Sequence, residues 1–180
     1  VAMRLTAEQL SVRDAARNFA EKAIAPYAAQ WEDDGSAPRE LYHAMADVGL
    51  MGVTIDPRFG GSGADFVSYA LAIEEIPAAG GGISNIMAAN NSPVAVALQN
   101  LGSDWQQQHY LTKLTSGEWI GCIQLTEPHT GSNAAAITCR AERDGDDYVL
   151  NGTKSFVTAG SLADLAMIIA VTNPKAGKRG

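Results

Sequence analysis

Cysteine is scarce in this chain of 180 residues: Cys122 and Cys139 are the only two, and no C-x-x-C spacing occurs. That excludes a disulfide-stapled scaffold and a zinc ribbon, and the expectation is two buried thiols in a reducing cytoplasm. Basic residues are also in deficit. Thirteen Lys and Arg stand against twenty Asp and Glu, a net charge of −7, so no surface here is suited to releasing counterions from nucleic-acid phosphates or anionic lipid. Long apolar runs are missing: the longest, Leu165–Val171, holds seven residues, against the ~20 that span a bilayer. Near the N-terminus Glu8, Arg13, Asp14 and Arg17 interrupt the apolar positions, which argues against a secretory leader.

Several chemical signatures are lacking as well. Gly61-Ser62-Gly63 has Phe66 where the third glycine of a dinucleotide fingerprint belongs, and Gly80-Gly81-Gly82 lies between helices rather than after a strand. His43, His109 and His129 are far apart, with no carboxylate at metal-ligand spacing, so no metal site is expected. Glu74 and Glu75 are neighbours on a predicted helix and point in different directions, so they are not a paired acid and base.

What is present is a globular composition, 46% hydrophobic and 18% charged, large enough for a real core. Thr6 and Gln9 form a capping box, and Leu10, Ala16, Phe19, Ala20, Ala23, Ile24 and Tyr27 follow at helical spacing. Pro26 should kink or end that helix. A second helix is predicted from Pro38, with Leu41, Met45 and Val48 inward and Gly49 as its stop. Further helices are predicted near Phe66–Ile76, Ile83–Leu101 and Asp104–Thr115.

From Glu118 onward the apolar period drops to two. Trp119–Leu125 is β-rich, and Ile137, Cys139 and Ala141 alternate with Thr138, Arg140 and Glu142. Asp144-Gly145 and Asn151-Gly152 read as type I′ hairpin turns, with Tyr148–Leu150, Thr153–Thr158 and Ala163–Thr172 completing an antiparallel meander. The expectation is an α+β chain: an all-α helical bundle over residues 1–118, then an antiparallel β-sheet or barrel domain over 119–180. Such a sheet would close on an open edge, so the expectation is that the chain is a fragment or that something else completes the sheet.

One stretch resists a purely structural reading, and a second, which alone reads as an ordinary strand after a hairpin turn, joins it. Leu125-Thr126-Glu127-Pro128-His129-Thr130-Gly131-Ser132-Asn133 follows an apolar strand and can offer backbone N–H groups and hydroxyls to an anion. Leu150-Asn151-Gly152-Thr153-Lys154-Ser155-Phe156-Val157-Thr158-Ala159-Gly160 runs from a turn into an extended segment. Together, in this order, they closely resemble the acyl-CoA dehydrogenase family. Gly49-Leu50-Met51-Gly52-Val53, Phe59-Gly60-Gly61-Ser62-Gly63, Glu74-Glu75-Ile76, Gly102 with Gln106-Gln107, Tyr110-Leu111 and Gly117-Glu118 extend the resemblance along the whole chain.

That resemblance implies FAD held by the β domain against an acyl-CoA thioester. It also implies transfer of electrons to an electron-transfer flavoprotein, a tetramer of the full-length protein, and a C-terminal helical domain lying outside this sequence. Carried over position by position, it places the backbone at Ile123, Gln124 and Leu125 and the hydroxyl of Thr126 at the flavin's pyrimidine edge. Gly131 and Ser132 fall near the cofactor's phosphates, with Ser132 also near the substrate's pantetheine arm. Phe156, Val157 and Thr158 fall beside the flavin ring, Thr158 near N5. Phe156 stands where the family commonly has Trp, Asn133 where it has Asp, and Ala159 where it has Asn. The family's catalytic Glu matches no residue here, and the resemblance leaves Glu127 a structural role beside Pro128. The acyl tail is expected against the helix around Met87–Val96, where the small residues Ala88, Ala89, Ala95 and Ala97 leave room. A flavin oxidase or monooxygenase on the same scaffold, or an inactive thioester- or flavin-binding module, is the alternative.

Overall fold

The computed structural model describes residues 4–180. Helix α1 spans Ala7–Phe19, and Thr6 caps it with the reciprocal bonds of the box: its hydroxyl accepts from the Gln9 N–H (3.2 Å), and the Gln9 carbonyl accepts from the Thr6 N–H (3.0 Å). The helix widens into a π turn over Ala20–Ile24, keeps helical backbone through Ala25, and stops at Pro26, which has no N–H to continue the ladder. Ala16, Ala20 and Ile24 are buried along the predicted stripe. A short α2 (Ala28–Asp33) precedes α3 (Arg39–Asp47). Pro38 sits one residue before α3 rather than in its first turn. Leu41 and Met45 are buried as expected, with Tyr42 beside them. Val48 is not inward: α3 ends at Asp47, so Val48 leaves the helical period and is 46% exposed.

Helix α4 (Phe66–Ala79) starts on Asp65, whose carboxylate accepts from the Ser68 N–H (2.7 Å) and from the Gln9 amide (2.7 Å). Arg17 on α1 reaches Glu75 on α4 through two parallel bonds of 2.9 and 2.7 Å, the planar fork that guanidinium offers a carboxylate. The helix predicted over Ile83–Leu101 is broken: α5 (Gly81–Ala89) and α6 (Val96–Leu101) lie on either side of a kink at Ser92 (φ −142°, ψ 118°), the residue that Pro93 keeps out of helical backbone. Past Gly102, Ser103 caps a last helical stretch made of α7 (Asp104–Gln106), a π turn and α8 (Thr112–Thr115).

Helix then gives way to strand: β1 (Gly121–Gln124), β2 (Arg140–Asp144), β3 (Asp147–Asn151) and β4 (Leu165–Ile168). The β2–β3 hairpin is antiparallel with Asp144 opposite Asp147. Its turn is not type I′: Gly145 alone has positive φ (61°), which suits a type II′ turn with glycine at the first central position. Cys139 is buried and Ala141 half-buried while Thr138, Arg140 and Glu142 are exposed, the alternation expected of a strand with one wet face.

Three expectations fail in the β region. Strand β1 pairs with β4 in parallel, Gly121 opposite Leu165 and Gln124 opposite Ile168, because residues 125–164 form a long crossover that returns the chain in the same direction. Asn151-Gly152 is not a hairpin turn, and Thr153–Thr158 joins no ladder. Gly152 instead packs on Cys139, where an added Cβ would lie 2.7 Å from the Cys139 Cα. That approach turns the chain away from β3 and toward the loop after β1.

The two parts are tied firmly together. Val94, Ala95, Leu111 and Leu114 form a buried cluster against half-buried Trp119, Ile123, Leu165 and Met167. Buried Asn90 donates to the Met51 and Leu114 carbonyls (3.0 and 3.2 Å) and accepts from the Gly121 N–H at the head of β1 (2.9 Å). Arg39 on α3 pairs with Asp164 (3.0 Å), whose carboxylate also accepts from the Ile120 N–H. Among the described residues, no helix is long and apolar enough to cross a membrane.

Candidate functional site

Strand β1 has two edges. Ile120 O accepts from Leu165 N–H (3.2 Å) and Gln124 O from Ile169 N–H (3.0 Å), so the even-numbered residues face β4. The odd-numbered ones, Gly121, Ile123 and Leu125, therefore present their backbone groups on the opposite edge. There Gly121 N–H meets Asn90, and Leu125 O accepts from Lys154 Nζ (3.0 Å). Ile123 lies between these two anchors.

After β1 the chain makes a tight turn, Glu127 and Thr130 exchanging backbone bonds of 2.9 and 3.1 Å around Pro128-His129. The turn aims the Glu127 side chain inward. Its carboxylate accepts from the Thr138 N–H (2.7 Å), the Thr138 hydroxyl (2.9 Å), the Cys139 N–H (2.9 Å) and Lys154 Nζ (2.9 Å). Burial works against its ionised form, but those donors outweigh it and hold the carboxyl at about 2, below its ordinary 4.5. Because the folded-state pKa is depressed, the stability that Glu127 confers should be whole above about pH 5 and drain away as pH falls toward 2, where the folded chain too takes up the proton. Urea midpoints measured from pH 7 down to pH ~3 should fall steeply in the parent and less steeply in Glu127→Gln.

The segment after β3 crosses this loop. Ser155 N–H donates to Thr126 O (2.9 Å), one residue beyond the Lys154 contact. Two of the sequence-predicted segments, 125–126 and 154–156, are thus brought edge to edge. Gly131 folds back to the same place, where an added Cβ would sit 3.7 Å from the Thr126 methyl. Next in line is Phe156. Its φ is +55° and its side chain is 94% exposed, a strained backbone for a bulky residue and a ring with no packing partner. Strain of this kind, about 1–3 kcal/mol per residue, is concentrated at binding sites. Ala159 repeats the left-handed conformation three residues on, at φ 59°.

Among the described residues, the hydroxyls of Thr126, Ser132 and Thr158 make no hydrogen bond, and neither do the N–H groups of Thr126, Ser132 and Thr158. Thr126 is half-buried, Ser132 and Thr158 are exposed, and Ile123, Gln124, Leu125 and Val157 are half-buried. No bond joins Ser132 to Phe156–Thr158, so the first loop is drawn to the second segment at Thr126 and not at its tip. The arrangement offers free donors at Thr126, just past the end of β1, and a bare aromatic ring on the segment bonded to it, which suits a flat, heteroatom-rich ligand.

The small residues of 87–96 leave little room: Met87, Ala89, Val94 and Ala95 are buried in the cores. Space opens on either side of them instead. A cavity of about 260 Å³ is lined by Trp31, Tyr42, Gly80, Ile83, Ile86 and Leu162. A groove of about 290 Å³ runs between Val94, Ala97, Leu98 and Leu101 on one side and Leu165 and Met167 on the other.

The Glu127–Lys154 pair, the Thr138 bonds to it and the Asn90 anchor were not assigned from sequence. The signal for Lys154 was available: a single cation in an otherwise uncharged run from Asn151 to Leu162 needs a partner if it is buried.

Comparison with known proteins gives a consistent picture. The family described as acyl-CoA dehydrogenase, N-terminal domain, matches residues 6–118, and the one described as acyl-CoA dehydrogenase, middle domain, matches residues 122–180. An acyl-CoA dehydrogenase of Bacillus subtilis is 38% identical over 178 residues, covering 99% of this chain and 47% of the relative. A glutaryl-CoA dehydrogenase from Mycobacterium smegmatis, solved in complex with FADH2, superposes with a TM-score of 0.89 at 34% identity, over 94% of this chain and 44% of that one. A chain solved in work on the electron transferring flavoprotein of Acidaminococcus fermentans gives 0.92 at 34% identity, over 98% of this chain and 47% of that one. The chain spans just under half the length of the curated relatives it matches.

Proposed function

Because this chain belongs to the acyl-CoA dehydrogenase family, we propose that it supplies the FAD-facing half of an enzyme that dehydrogenates acyl-CoA thioesters between Cα and Cβ. The observation that carries the proposal is the exposed Phe156, held at φ +55° one residue beyond the bond joining its segment to Thr126. FAD, when bound, supplies the hydride acceptor. The residues present fit that cofactor: free N–H and hydroxyl donors of Thr126 and Thr158 suit the polar edge of its ring, Phe156 the apolar rim, and Gly131-Ser132 a phosphate.

Donors aimed where negative charge builds on reduction act as electrostatic preorganisation, and they need not reorient at the moment of reaction. No carboxylate of the site is free to take the α-proton. Glu127 has both oxygens bonded, and Glu75 is held by Arg17. We therefore place the base in a part of the longer protein outside residues 1–180. Residues 1–118 serve in this proposal as the helical domain and 119–180 as part of the β domain. An electron-transfer flavoprotein as acceptor and a homotetramer rest on the resemblance to the family, and a cytoplasmic location rests on the two free, buried cysteines.

The test is anaerobic mixing of the full-length protein with a panel of acyl-CoAs. Dehydrogenation bleaches the flavin band without oxygen and shows slow reoxidation in air. Rapid reoxidation with peroxide release would identify an oxidase, and an unchanged band a binding module. Thr126→Val keeps the volume and removes the donor. Since a hydrogen bond to a charged partner is worth about 1.5–3 kcal/mol, the two-electron potential should fall by ~30–65 mV in the variant. A potential equal to that of the parent would refute the contact.

A further inference from the structure

Glu127 and Lys154 form a buried ion pair, their side chains 2% and 6% exposed. Such a pair is weak support for stability, because apolar residues of the same volume serve equally well or better; its best-attested use is to specify register. Here it joins three segments. Glu127 takes the Thr138 and Cys139 amides at the entry to β2, and Lys154 takes Leu125 O on the open edge of β1. Ser155 N–H then meets Thr126 O.

Phe156 holds a left-handed backbone (φ +55°), so a slip of one residue would put a different residue at that bend and re-aim the side chains on either side of it. Residues 152–158 have no ladder to prevent that slip. Among the described residues, the Lys154 bonds and the Ser155 bond are what tie residues 153–156 to the loop after β1. An ammonium group in this setting can sit only where Leu125 O and the Glu127 carboxylate converge, since displacement by one residue would bury it unpaired.

We infer that the Glu127–Lys154 pair is a positioning device that fixes the register of residues 153–158 against the loop after β1. It thereby sets the side on which Phe156 and Thr158 stand relative to Thr126. The inference rests on the FAD reading above for its functional consequence, not for its geometry. Neither residue is itself placed against the cofactor, although Lys154 holds the carbonyl of Leu125, whose backbone belongs to the proposed site.

The experiment uses the full-length protein and three variants: Lys154→Met, Glu127→Gln and the double variant. The readouts are the urea midpoint, the FAD dissociation constant of the reconstituted apoprotein, and hydrogen exchange at the Ser155 amide of the apoprotein. Each single variant leaves a buried group unmatched, so both should lose midpoint and affinity. The double variant buries a neutral Gln beside Met and should recover the midpoint. Met cannot donate to Leu125 O, so the register should stay loose: FAD binding about tenfold or more weaker than in the parent, the size of one lost charge-assisted hydrogen bond, and Ser155 exchanging fast.

If the double variant binds FAD as tightly as the parent, or if Ser155 stays protected in it, the pair is only structural and the inference is overturned. Should both single variants fail to fold, the double variant carries the test. Failure of the parent itself to bind FAD would overturn the functional reading, and the Ser155 exchange would still decide the positioning role.

Discussion

Asn90→Leu should lower the free energy of unfolding by about 2–6 kcal/mol, because two buried backbone groups lose their partner at once and each unsatisfied group costs about 1–3 kcal/mol. Those groups are the Met51 carbonyl and the Gly121 N–H, whereas the Leu114 carbonyl keeps the Gly117 N–H (3.3 Å); Asn90 itself is wholly buried. Leucine keeps the branching and heavy-atom count of asparagine but has bulkier methyl ends, so some overpacking adds to the lost hydrogen bonds. Against a total stability of about 5–15 kcal/mol, that is a large fraction. Asn100→Leu is the matched control. Asn100 is exposed and makes one bond, to Val96 O, so its replacement should change stability by no more than about 0.5 kcal/mol. Equilibrium urea unfolding at unchanged m-value measures both. The effect should also reach the candidate site, since Asn90 anchors the first residue of β1 on the edge that ends at Leu125 and Thr126.

Gly117→Ala should be nearly as damaging, and for a different reason. Gly117 has φ +71°, and a Cβ there would stand 2.5 Å from the Tyr42 carbonyl oxygen and 2.8 Å from its carbon. The left-handed conformation alone costs a β-carbon about 1–2 kcal/mol. The clash adds more, because Tyr42 lies within α3 with its side chain fully buried and its backbone cannot retreat. A total of ~3 kcal/mol or more is expected, in the range where backbone strain and overpacking combine. Gly145→Ala separates the two contributions. Gly145 has φ +61° with nothing within 4 Å of an added Cβ, so it should lose only the conformational part, about 1–2 kcal/mol. Equal losses at the two positions would show that α3 yields to the 117 turn.

Much of the helical half was legible because its signals are local. The Thr6–Gln9 box, the Ala16–Ala20–Ile24 stripe, the stop at Pro26 and the Ser103 start each depend on residues within one or two turns of each other. Burial of Val48 was misjudged by one residue past the helix end, where periodicity no longer applies. The change to strand at Glu118 and the Gly145 turn were local as well. So were the two segments on either side of the hairpin, whose order and composition point to the family even though neither is distinctive alone.

What sequence could not supply was pairing between distant residues. A period of two says that β1 and β4 are strands but not that they run parallel, because direction is set by the crossover through residues 125–164. Thr153–Thr158 has the composition of a strand. It joins no ladder because Gly152 presses on Cys139 and Lys154 draws the segment to Leu125 and Glu127. The same holds for the site: the sequence alone determined which hydroxyls, glycines and aromatic residue were present and in what order. Only the tertiary structure decided that Thr126 and Ser155 share a bond, that Phe156 stands bare beside them, and that Glu127 is consumed by four donors. Each of these depends on burial and on partners eleven to twenty-nine residues apart, and buried polar groups take whichever partner the packed chain brings within reach.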